Sequence, residues 1–302
     1  MSVPICVVVI PAYNAVKTVA ETLLALQQAS GLSDILKVVM VDDCSTDDTV
    51  SAARAAWTSA TAFEIWTNES NMGERRTVNR AFAQLTAESE WIFILHADDV
   101  VKPNWISLYL AAIQASCEKT ASICSSYDVW WSDSGQIEPG EDVLDAPVRV
   151  IRGGSDAVRD TLERGCWWHI SGCAIRNAAF RVIGPFEPDM PQLGDWEWVM
   201  RCLAKGFNIT YIPRTTMLYR QHSASISSTS LREGRDLRER LRILELVRSQ
   251  GFIDRARYSA RLRGTFFQIA RRLLVRAARW DWVGFRSHFT VLLLAARKLV
   301  PR

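Results

Sequence analysis

A short apolar run at residues 91–95 is followed by His96, Ala97 and the adjacent carboxylates Asp98 and Asp99. An apolar run of this length is typical of a buried strand, and open α/β sheets bind their ligands at the carboxyl ends of such strands. Adjacent carboxylates suit a hard divalent cation that keeps some of its water and shares the phosphates of a substrate. The pattern therefore predicts a metal and phosphate site, with a solvated turn after the strand as the alternative.

The elements that must position these carboxylates follow an alternating order. Runs rich in β-branched and aromatic residues predict buried strands, and stretches with helical spacing lie between them. Repeated βα units imply a mostly parallel sheet with helices on both faces. The predicted fold class is therefore α/β, a doubly wound nucleotide-binding fold. The predicted strands are 7–10, 38–41, 63–66 and 91–95, and the predicted helical stretches are 23–27, 50–57 and 78–85.

The turn after the first predicted strand reads Pro11, Ala12, Tyr13 and Asn14 rather than a G-x-G-x-x-G fingerprint. This turn disfavours a dinucleotide dehydrogenase, and the chain has no Walker A motif either. Further along, the Ser/Thr-rich residues 223–230 are typical of a linker, and helical periodicity follows them. We therefore predict a domain boundary near residue 226.

The seven cysteines are scattered, without the spacing of zinc ligands or of a disulfide framework, which favours a reducing compartment. The first residues show no basic segment of the kind that begins a secretory signal. The C-terminal apolar runs fall far short of the ~20 residues that span a bilayer. We expect a cytoplasmic protein whose contact with membrane is peripheral, at the inner face of the cell membrane.

Residues 231–302 carry a formal net charge of +12, against +3 for the whole chain. Such a split predicts an anionic partner for this segment, either a membrane or nucleic acid. Leu262, Phe266, Ile269 and Leu273 form one helical stripe beside an arginine-rich one, which favours an amphipathic helix on an anionic membrane surface. The alternative is that this stripe packs on the rest of the protein. Nucleic acid is disfavoured because the stripe is wide and the remaining chain is acidic.

Four segments resemble, in the same order, motifs of the family 2 glycosyltransferases, GT-A enzymes that move a sugar from a nucleotide diphosphate to an acceptor. The segments are residues 9–14, 41–47, 95–103 and 194–201. The resemblance implies a GT-A catalytic domain over residues 1–225, with a nucleotide-binding half at about 1–103 and an acceptor half at about 104–225. A basic helical region, residues 226–302, would follow it.

The resemblance implies a nucleotide-sugar donor, by default a UDP-sugar. Tyr13 offers an aromatic face on which a base can stack, and Asp43 offers an acceptor for a base N–H. A turn at Gly73, followed by Arg75 and Arg76 near a helix start, suits an anionic ligand. The predicted nucleotide-binding residues are Pro11, Ala12, Tyr13, Asp43, Gly73, Arg76, His96, Ala97 and Asp98.

The resemblance also implies a divalent metal, Mn2+ or Mg2+, held mainly by Asp98 at the last acid of the family's DxD motif. Asp99 would orient Asp98 from behind, and His222 resembles a later family histidine that approaches the diphosphate. His96 replaces the first acid of the motif, which removes one carboxylate from the ribose or metal contact. A neutral imidazole can still hydrogen-bond a sugar hydroxyl or bind manganese.

Asp195 matches the position of the family's catalytic base, which would remove the acceptor proton in an inverting displacement while the metal stabilises the departing diphosphate. Gly194 precedes it where the family usually has Glu, and Glu197 is the second candidate for the base. Asp195 also stands where an N-cap would. The predicted sugar or acceptor contacts are Asp99, Trp168, Ser171, Gly172, Trp196 and Glu197, with Trp198 as a further indole candidate.

We therefore expect an inverting glycosyltransferase that acts on a glycan or lipid-linked acceptor in the synthesis of a cell-surface glycan or glycolipid. The two departures from the family pattern, His96 and Gly194, motivate the alternative. In that alternative, the chain is a catalytically degenerate nucleotide-binding regulator or scaffold on the same fold.

Overall fold

The computed structural model of this chain describes residues 5–221 and 226–299, with the backbone alone for residues 226–229. Its ten described strands form one mixed sheet in the order β3-β2-β1-β4-β9-β6-β10-β5, with β7 beside β6 and β8 beside β10. The strands are β1 Cys6–Ala12, β2 Lys37–Asp42, β3 Ala62–Thr67, β4 Trp91–Ile94, β5 Val100–Val101, β6 Thr120–Trp131, β7 Gln136–Glu138, β8 Arg149–Ile151, β9 Cys173–Arg176 and β10 Asn208–Gln221.

Helices cover both faces of this sheet, and a single 3-10 turn, Leu32–Asp34, precedes β2. Strands β1 to β4 are mutually parallel, as the alternation of strand and helix predicts. The helices are α1 Val19–Gln27, α2 Thr49–Ala56, α3 Glu74–Leu85, α4 Trp105–Gln114, α5 Ser155–Arg164, α6 Asn177–Ile183, α7 Gly194–Ala204, α8 Ile226–Glu233, α9 Arg235–Ser249, α10 Arg255–Ala278 and α11 Trp282–Leu299.

Strand β1 shows why the sheet has two cores. Successive side chains of a strand point to opposite faces, so Val7 and Val9 join one apolar cluster while Val8 and Ile10 join the other. All four side chains are 0% exposed, because helices close both faces. The predicted α/β class is confirmed. In the acceptor half, β9 is antiparallel to both β4 and β6, so the sheet there is mixed.

The C-terminal helices pack into the same core as α7. Leu262, Ile269 and Leu273 of α10 are each at most 7% exposed and join a cluster that includes Val199 of α7. Protein therefore covers most of the apolar stripe, as the packing alternative predicts, so the prediction that this stripe lies on a membrane is wrong. Among the described residues, every helix is too short or too polar to cross a bilayer.

Candidate active site

Three side chains with metal-ligand chemistry meet at the carboxyl end of β4. One ligand atom from each of His96, Asp98 and Asp99 lies within 4.8 Å of the others. Asp99 is 0% exposed, whereas Asp98 is partly exposed toward solvent. The structure thus brings together the three residues that the apolar run and its carboxylates predict.

The loop that carries these residues is tied to its neighbours on several sides. The Arg220 backbone N–H of β10 donates to Asp99 Oδ1 at 2.9 Å, and its side-chain Nε donates to the Asp98 carbonyl at 2.7 Å. From α1, Thr22 Oγ1 donates to the Asp99 carbonyl at 2.8 Å. The His96 backbone N–H donates to Ser171 Oγ at 2.9 Å. Groups from three different elements therefore fix the position of the loop.

The chemistry of this cluster fits a divalent cation. Burial, followed by repulsion from Asp98, raises the pKa of the Asp99 carboxyl to about 7. Asp99 Oδ2 is buried and has no hydrogen-bond partner among the described residues. A divalent cation between the two carboxylates would relieve both the repulsion and the missing partner. One imidazole with two carboxylates is a donor set that Mn2+ accepts once the imidazole has lost its proton.

His96 also belongs to a chain of charges that leads away from the cluster. Its Nε2 lies 3.2 Å from Glu74 Oε1, which in turn lies 3.2 Å from Arg75 NH1. Burial favours the neutral imidazole, but Glu74, Asp99 and Asp98 together raise the pKa of His96 to about 9. The pKa of Glu74 is lowered, since His96 and Arg75 outweigh its burial. Glu74 and Arg75 lie at the amino-terminal end of α3.

Arg75 extends this chain to Asp195 at the start of α7. The Arg75 guanidinium is 6% exposed and forms an ion pair with Asp195 Oδ1. Asp195 Oδ2 accepts a hydrogen bond from the Ile170 backbone N–H at 3.2 Å. Both carboxylate oxygens are therefore held in place. The ion-pair chain Asp195, Arg75, Glu74, His96 connects the predicted base to the predicted metal site.

Gly194 makes room for this arrangement. A Cβ at Gly194 would lie 3.2 Å from Arg75 Nε, so the guanidinium occupies space that a larger residue would take. The turn just before Gly194 is held from α9, where Glu239 accepts hydrogen bonds from the Leu193 and Gln192 backbone N–H groups at 2.5 and 3.1 Å. Burial outweighs these hydrogen bonds and raises the pKa of Glu239. Gly194, where the family usually has Glu, therefore lies next to a buried Arg75 beside the predicted base.

The nucleotide-binding candidates lie at the carboxyl ends of β1 and β2. Tyr13 is 49% exposed, and the preceding Pro11 and Ala12 end β1. The two turns are joined because the Thr46 backbone N–H donates to Asn14 Oδ1 at 2.8 Å. Tyr13 is therefore free to present its ring to a ligand, which stays a prediction.

Asp43 is buried and bonded to the loop that leads into α3. It is 3% exposed, and its Oδ1 accepts from Asn68 Nδ2 at 2.6 Å and from the Met72 N–H at 2.9 Å. Its Oδ2 accepts from the Gly73 N–H at 2.8 Å. The carboxylate thus holds the loop that leads into α3, and its contact with a base stays a prediction. Arg76 is 52% exposed beside Asp189, at 3.5 Å.

The predicted indole platforms are buried in the core. Trp168 is 3% exposed, stacks on Trp198 with 5.4 Å between ring centroids, and donates from Nε1 to Ser122 Oγ. Trp198 is 0% exposed and Trp196 is 4% exposed. The Trp168 and Trp198 rings stack on each other, which leaves little of either ring for a ligand, and the contact of the three indoles with a sugar stays a prediction.

Glu197 is likewise engaged elsewhere. Both of its oxygens pair with Arg201, one turn further along α7, at 2.6 and 2.9 Å. Arg201 also donates to the Ile183 and Pro185 carbonyls. Glu197 is thus paired with Arg201 along α7, and Asp195 stays the first candidate for the base.

The remaining described candidates are buried around the loop that follows β4. Ala97 is 5% exposed, and its carbonyl accepts from Thr18 Oγ1 at 2.9 Å. Ser171 is 2% exposed against the His96 backbone. Gly172 has φ +78°, and its N–H donates to the Ile94 carbonyl at 2.7 Å. It therefore joins the end of β4 to the start of β9. His222 lies outside the described residues.

Several residues of this site carry no sequence motif. His169 lies between the rings of His96 and Tyr219, with centroids 5.9 and 4.3 Å away. Burial lowers the pKa of His169, so its imidazole favours the neutral form. Arg220 reaches the loop of the cluster, and Glu239 reaches the turn before α7, only through folding. No motif in the sequence marks either residue.

Comparison with known proteins points to the family that the sequence motifs resemble. Residues 7–175, more than half of the chain, match Glycosyl transferase family 2. The succinoglycan biosynthesis protein ExoU of Rhizobium meliloti (strain 1021) is 34% identical over 104 residues, which is 34% of this chain and 29% of that protein. The match therefore spans less than a third of this relative's length.

Solved structures share the fold at low sequence identity. S. aureus TarS 1-349 in complex with UDP-GlcNAc superposes with a TM-score of 0.61 at 16% identity, covering 84% of this chain and 69% of that one. GalNAc-T7 with UDP, GalNAc and Mn2+ gives 0.58 at 16% identity, covering 81% and 48%. With the motif order, the α/β sheet and the carboxylate cluster already described, the family match over more than half of the chain establishes that this chain belongs to Glycosyl transferase family 2.

Proposed function

We propose that this glycosyltransferase is inverting and moves a sugar from a UDP-sugar to a hydroxyl group of a glycan or lipid-linked acceptor. The observation that carries the proposal is the Asp195 carboxylate, fixed by Arg75 and the Ile170 N–H and linked by ion pairs to the cluster at the end of β4. Neighbours solved with UDP-GlcNAc, or with UDP, GalNAc and Mn2+, support the donor class. A relative named for succinoglycan biosynthesis supports a polysaccharide product.

Asp195 acts on the acceptor. As the acceptor oxygen attacks the anomeric carbon, Asp195 takes the hydroxyl proton and the bond from that carbon to the diphosphate oxygen breaks. Attack from the face opposite the leaving group inverts the anomeric configuration. Arg75 holds the carboxylate in a fixed orientation, and Asp98 and Asp99 with His96 would hold the cation. When bound, Mn2+ or Mg2+ supplies charge stabilisation for the leaving diphosphate.

The role of Asp195 is tested by Asp195→Asn, with release of UDP from a panel of UDP-sugars as the readout. A general base contributes about 10²–10⁴-fold, so we expect turnover to fall by that factor while UDP still raises the melting temperature. Asp189→Asn is the matched control, because Asp189 is 73% exposed and lies on the loop before α7. Equal turnover by both variants would refute the assignment. A wild type that binds UDP but never turns over would favour the degenerate regulator.

The donor and metal are tested by thermal unfolding with UDP, dTDP, GDP and NAD, each with and without Mn2+. A ligand at 100 times its dissociation constant stabilises the native state by about 2.7 kcal/mol. We expect a Mn2+-dependent shift with UDP that Asp98→Asn removes. A shift of the same size without Mn2+ would contradict the metal role, and a preference for GDP or dTDP would reassign the nucleotide.

We further propose a peripheral contact with an anionic membrane, through a surface other than the buried stripe. The turn between α10 and α11 exposes Trp280 by 77%, Trp282 by 55% and Val283 by 75%. On α10 itself, Phe267 and Leu274 are 68% and 73% exposed. Exposed apolar groups among arginines, in a segment of net charge +12, are typical of interfacial binding to anionic lipids.

Flotation with vesicles that contain phosphatidylglycerol tests this contact. We expect wild type to float at low salt and Trp280→Ser with Trp282→Ser to remain at the bottom of the gradient. Trp131→Ser is the control, since Trp131 is 41% exposed on the catalytic part. Flotation that the double substitution leaves unchanged would exclude this surface.

A further inference from the structure

A cavity of about 390 Å³ lies between α5 and α7 on one side and α9 and α10 on the other. Its charged lining consists of Arg159, Arg240, Arg257 and Arg261, with Glu163 as the single acid among the described residues. We call this cavity the arginine pocket. Four guanidinium groups around one cavity repel one another, and an anion bound between them would relieve that repulsion.

Ion pairs within the protein neutralise only part of this charge. Arg159 pairs with Asp156, whose side chain is 98% exposed, and Arg261 lies 3.8 Å from Glu163. Among residues 5–221 and 226–299, Arg240 and Arg257 form no ion pair within 4.0 Å. The pocket therefore presents positive charge that the described residues do not balance.

Two polar groups at the wall also lack hydrogen-bond partners. Trp196 lines the pocket, is 4% exposed, and its Nε1 has no partner among the described residues. The Arg240 guanidinium lies over the Trp196 ring at 5.6 Å, and its Nε is also buried without a partner. Burial lowers the pKa of Arg240, with Arg272 and Arg261 adding to the effect against Asp236. Buried donors in this state are costly unless a ligand satisfies them.

Apolar side chains, Leu162, Leu244, Ile253 and Ala260, lie around the arginines, and Thr265 and Gln268 are the uncharged polar members of the lining. Guanidinium groups match phosphate oxygens with paired N–H donors, and the apolar wall matches hydrocarbon. We propose that the arginine pocket binds a phosphate group carried on an apolar or partly apolar molecule. A lipid phosphate headgroup and a free phosphate compound share this chemistry.

This pocket is separate from the site of sugar transfer. Trp196 and Asp195 are consecutive on α7, yet the Asp195 carboxylate contacts Arg75 and the Ile170 N–H, whereas the Trp196 ring lines the arginine pocket. None of the metal-cluster residues lines it. The inference therefore goes beyond the proposed function, and a ligand here would contact the helix that carries the base.

Calorimetric titration of the full chain in EDTA tests the proposal, with inorganic pyrophosphate and dihexanoyl phosphatidate as separate probes. The first variant is Arg257→Glu with Arg261→Glu, whose matched control is Arg263→Glu with Arg286→Glu, two exposed arginines outside the lining. The second variant is Ala260→Trp, which fills the apolar part without changing charge. Its control is Ala256→Trp, one turn earlier on an exposed face of α10.

We expect both pocket variants to weaken binding by about tenfold or more while both controls bind like wild type. Binding of phosphatidate alone identifies a lipid headgroup as the source, and comparable binding of pyrophosphate identifies a free phosphate compound. No binding of either probe at millimolar concentration, or equal weakening in variants and controls, would overturn the proposal. Because the readout is binding without metal, it is independent of whether Asp195 is the catalytic base.

Discussion

At the scale of single residues, Arg75 and Arg76 are neighbours with opposite environments. Arg75 is 6% exposed between Asp195 and Glu74, whereas Arg76 is 52% exposed and lies 3.5 Å from a solvent-exposed Asp189. Removing one partner of a buried ion pair leaves the other charge without compensation, while exposed pairs contribute little. The buried arginine should therefore dominate both stability and alignment of the base.

We expect Arg75→Met to lower the free energy of unfolding by about 3 kcal/mol and Arg76→Met by less than about 1 kcal/mol, measured by urea denaturation. Turnover should fall with Arg75→Met, since Asp195 loses the group that holds Oδ1. Similar losses of stability and turnover in the two variants would show that the ion pair to Asp195 contributes no more than the exposed pair.

At the scale of elements, strand β10 controls the loop after β4. Arg220 donates to the Asp98 carbonyl, pairs with Glu21 of α1, and lies over the Trp130 ring at 4.0 Å. Residues behind metal ligands fix the orientation of those ligands, and their loss typically weakens metal binding about 10–100-fold. Arg220 should therefore influence the metal site without being a ligand.

We expect Arg220→Met to raise the Mn2+ concentration needed for half-maximal activity by at least about tenfold. Arg214→Met is the matched control on the same strand, because Arg214 pairs with Asp142 away from the cluster. Mn2+ titrations of UDP release compare the two variants. An unchanged Mn2+ requirement in Arg220→Met would mean that the backbone hydrogen bonds to the loop are enough to hold the metal ligands in place.

The hairpin of α10 and α11 contains a second element-scale feature, the buried His288. Its side chain is 0% exposed against Gly234, and its Nδ1 lies 2.8 Å from the Gly284 carbonyl. Burial, with Arg272 and Arg276, lowers the pKa of His288 against the opposing charge of Asp236. The folded protein therefore resists protonating this imidazole.

The unfolded chain takes up the proton first, near pH 6.5, so stability falls as the pH drops below that value. We expect the free energy of unfolding of wild type to decrease between pH 7 and pH 5 more steeply than that of His288→Leu. Phe289→Leu, at a 46% exposed neighbour, should keep the wild-type slope. Parallel slopes for wild type and His288→Leu would contradict the prediction.

At the scale of the whole molecule, the C-terminal helices take part in the architecture of the active site. Glu239 of α9 accepts hydrogen bonds from the two backbone N–H groups that precede Gly194 and Asp195. Leu237 and Leu241 of the same helix join the apolar cluster that contains Val199 and Met200 of α7. We therefore propose that residues 226–299 help to hold the base, beyond the predicted catalytic domain of residues 1–225.

We expect Glu239→Ala to lower kcat about tenfold with little change in the KM for the UDP-sugar, because the start of α7 loses two charge-assisted hydrogen bonds. Glu245→Ala is the control, since Glu245 lies on the same helix, 47% exposed, paired with Lys298. Steady-state kinetics separate the two parameters. A rise in KM without a change in kcat would place the effect on donor binding instead.

The sequence alone determined the α/β class and the four parallel strands, because burial on both faces of a parallel strand leaves a continuous apolar run that can be read directly. The same logic placed His96, Asp98 and Asp99 together, since short spacing after a strand end fixes proximity. The motif around Asp195 also predicted a base there, which stays a prediction. Local pattern therefore sufficed wherever chemistry and element lie within a few residues.

Only the tertiary structure decided which side chains face the site and which face the core. Trp168, Glu197 and Asp43 have suitable chemistry in sequence, but stacking, pairing with Arg201 and bonds to the loop before α3 occupy them. Arg75 and Glu239 reach Asp195 and its helix across 120 and 46 positions of sequence. The physical reason is that burial and long-range pairing depend on how distant elements pack, which residue type and spacing do not specify.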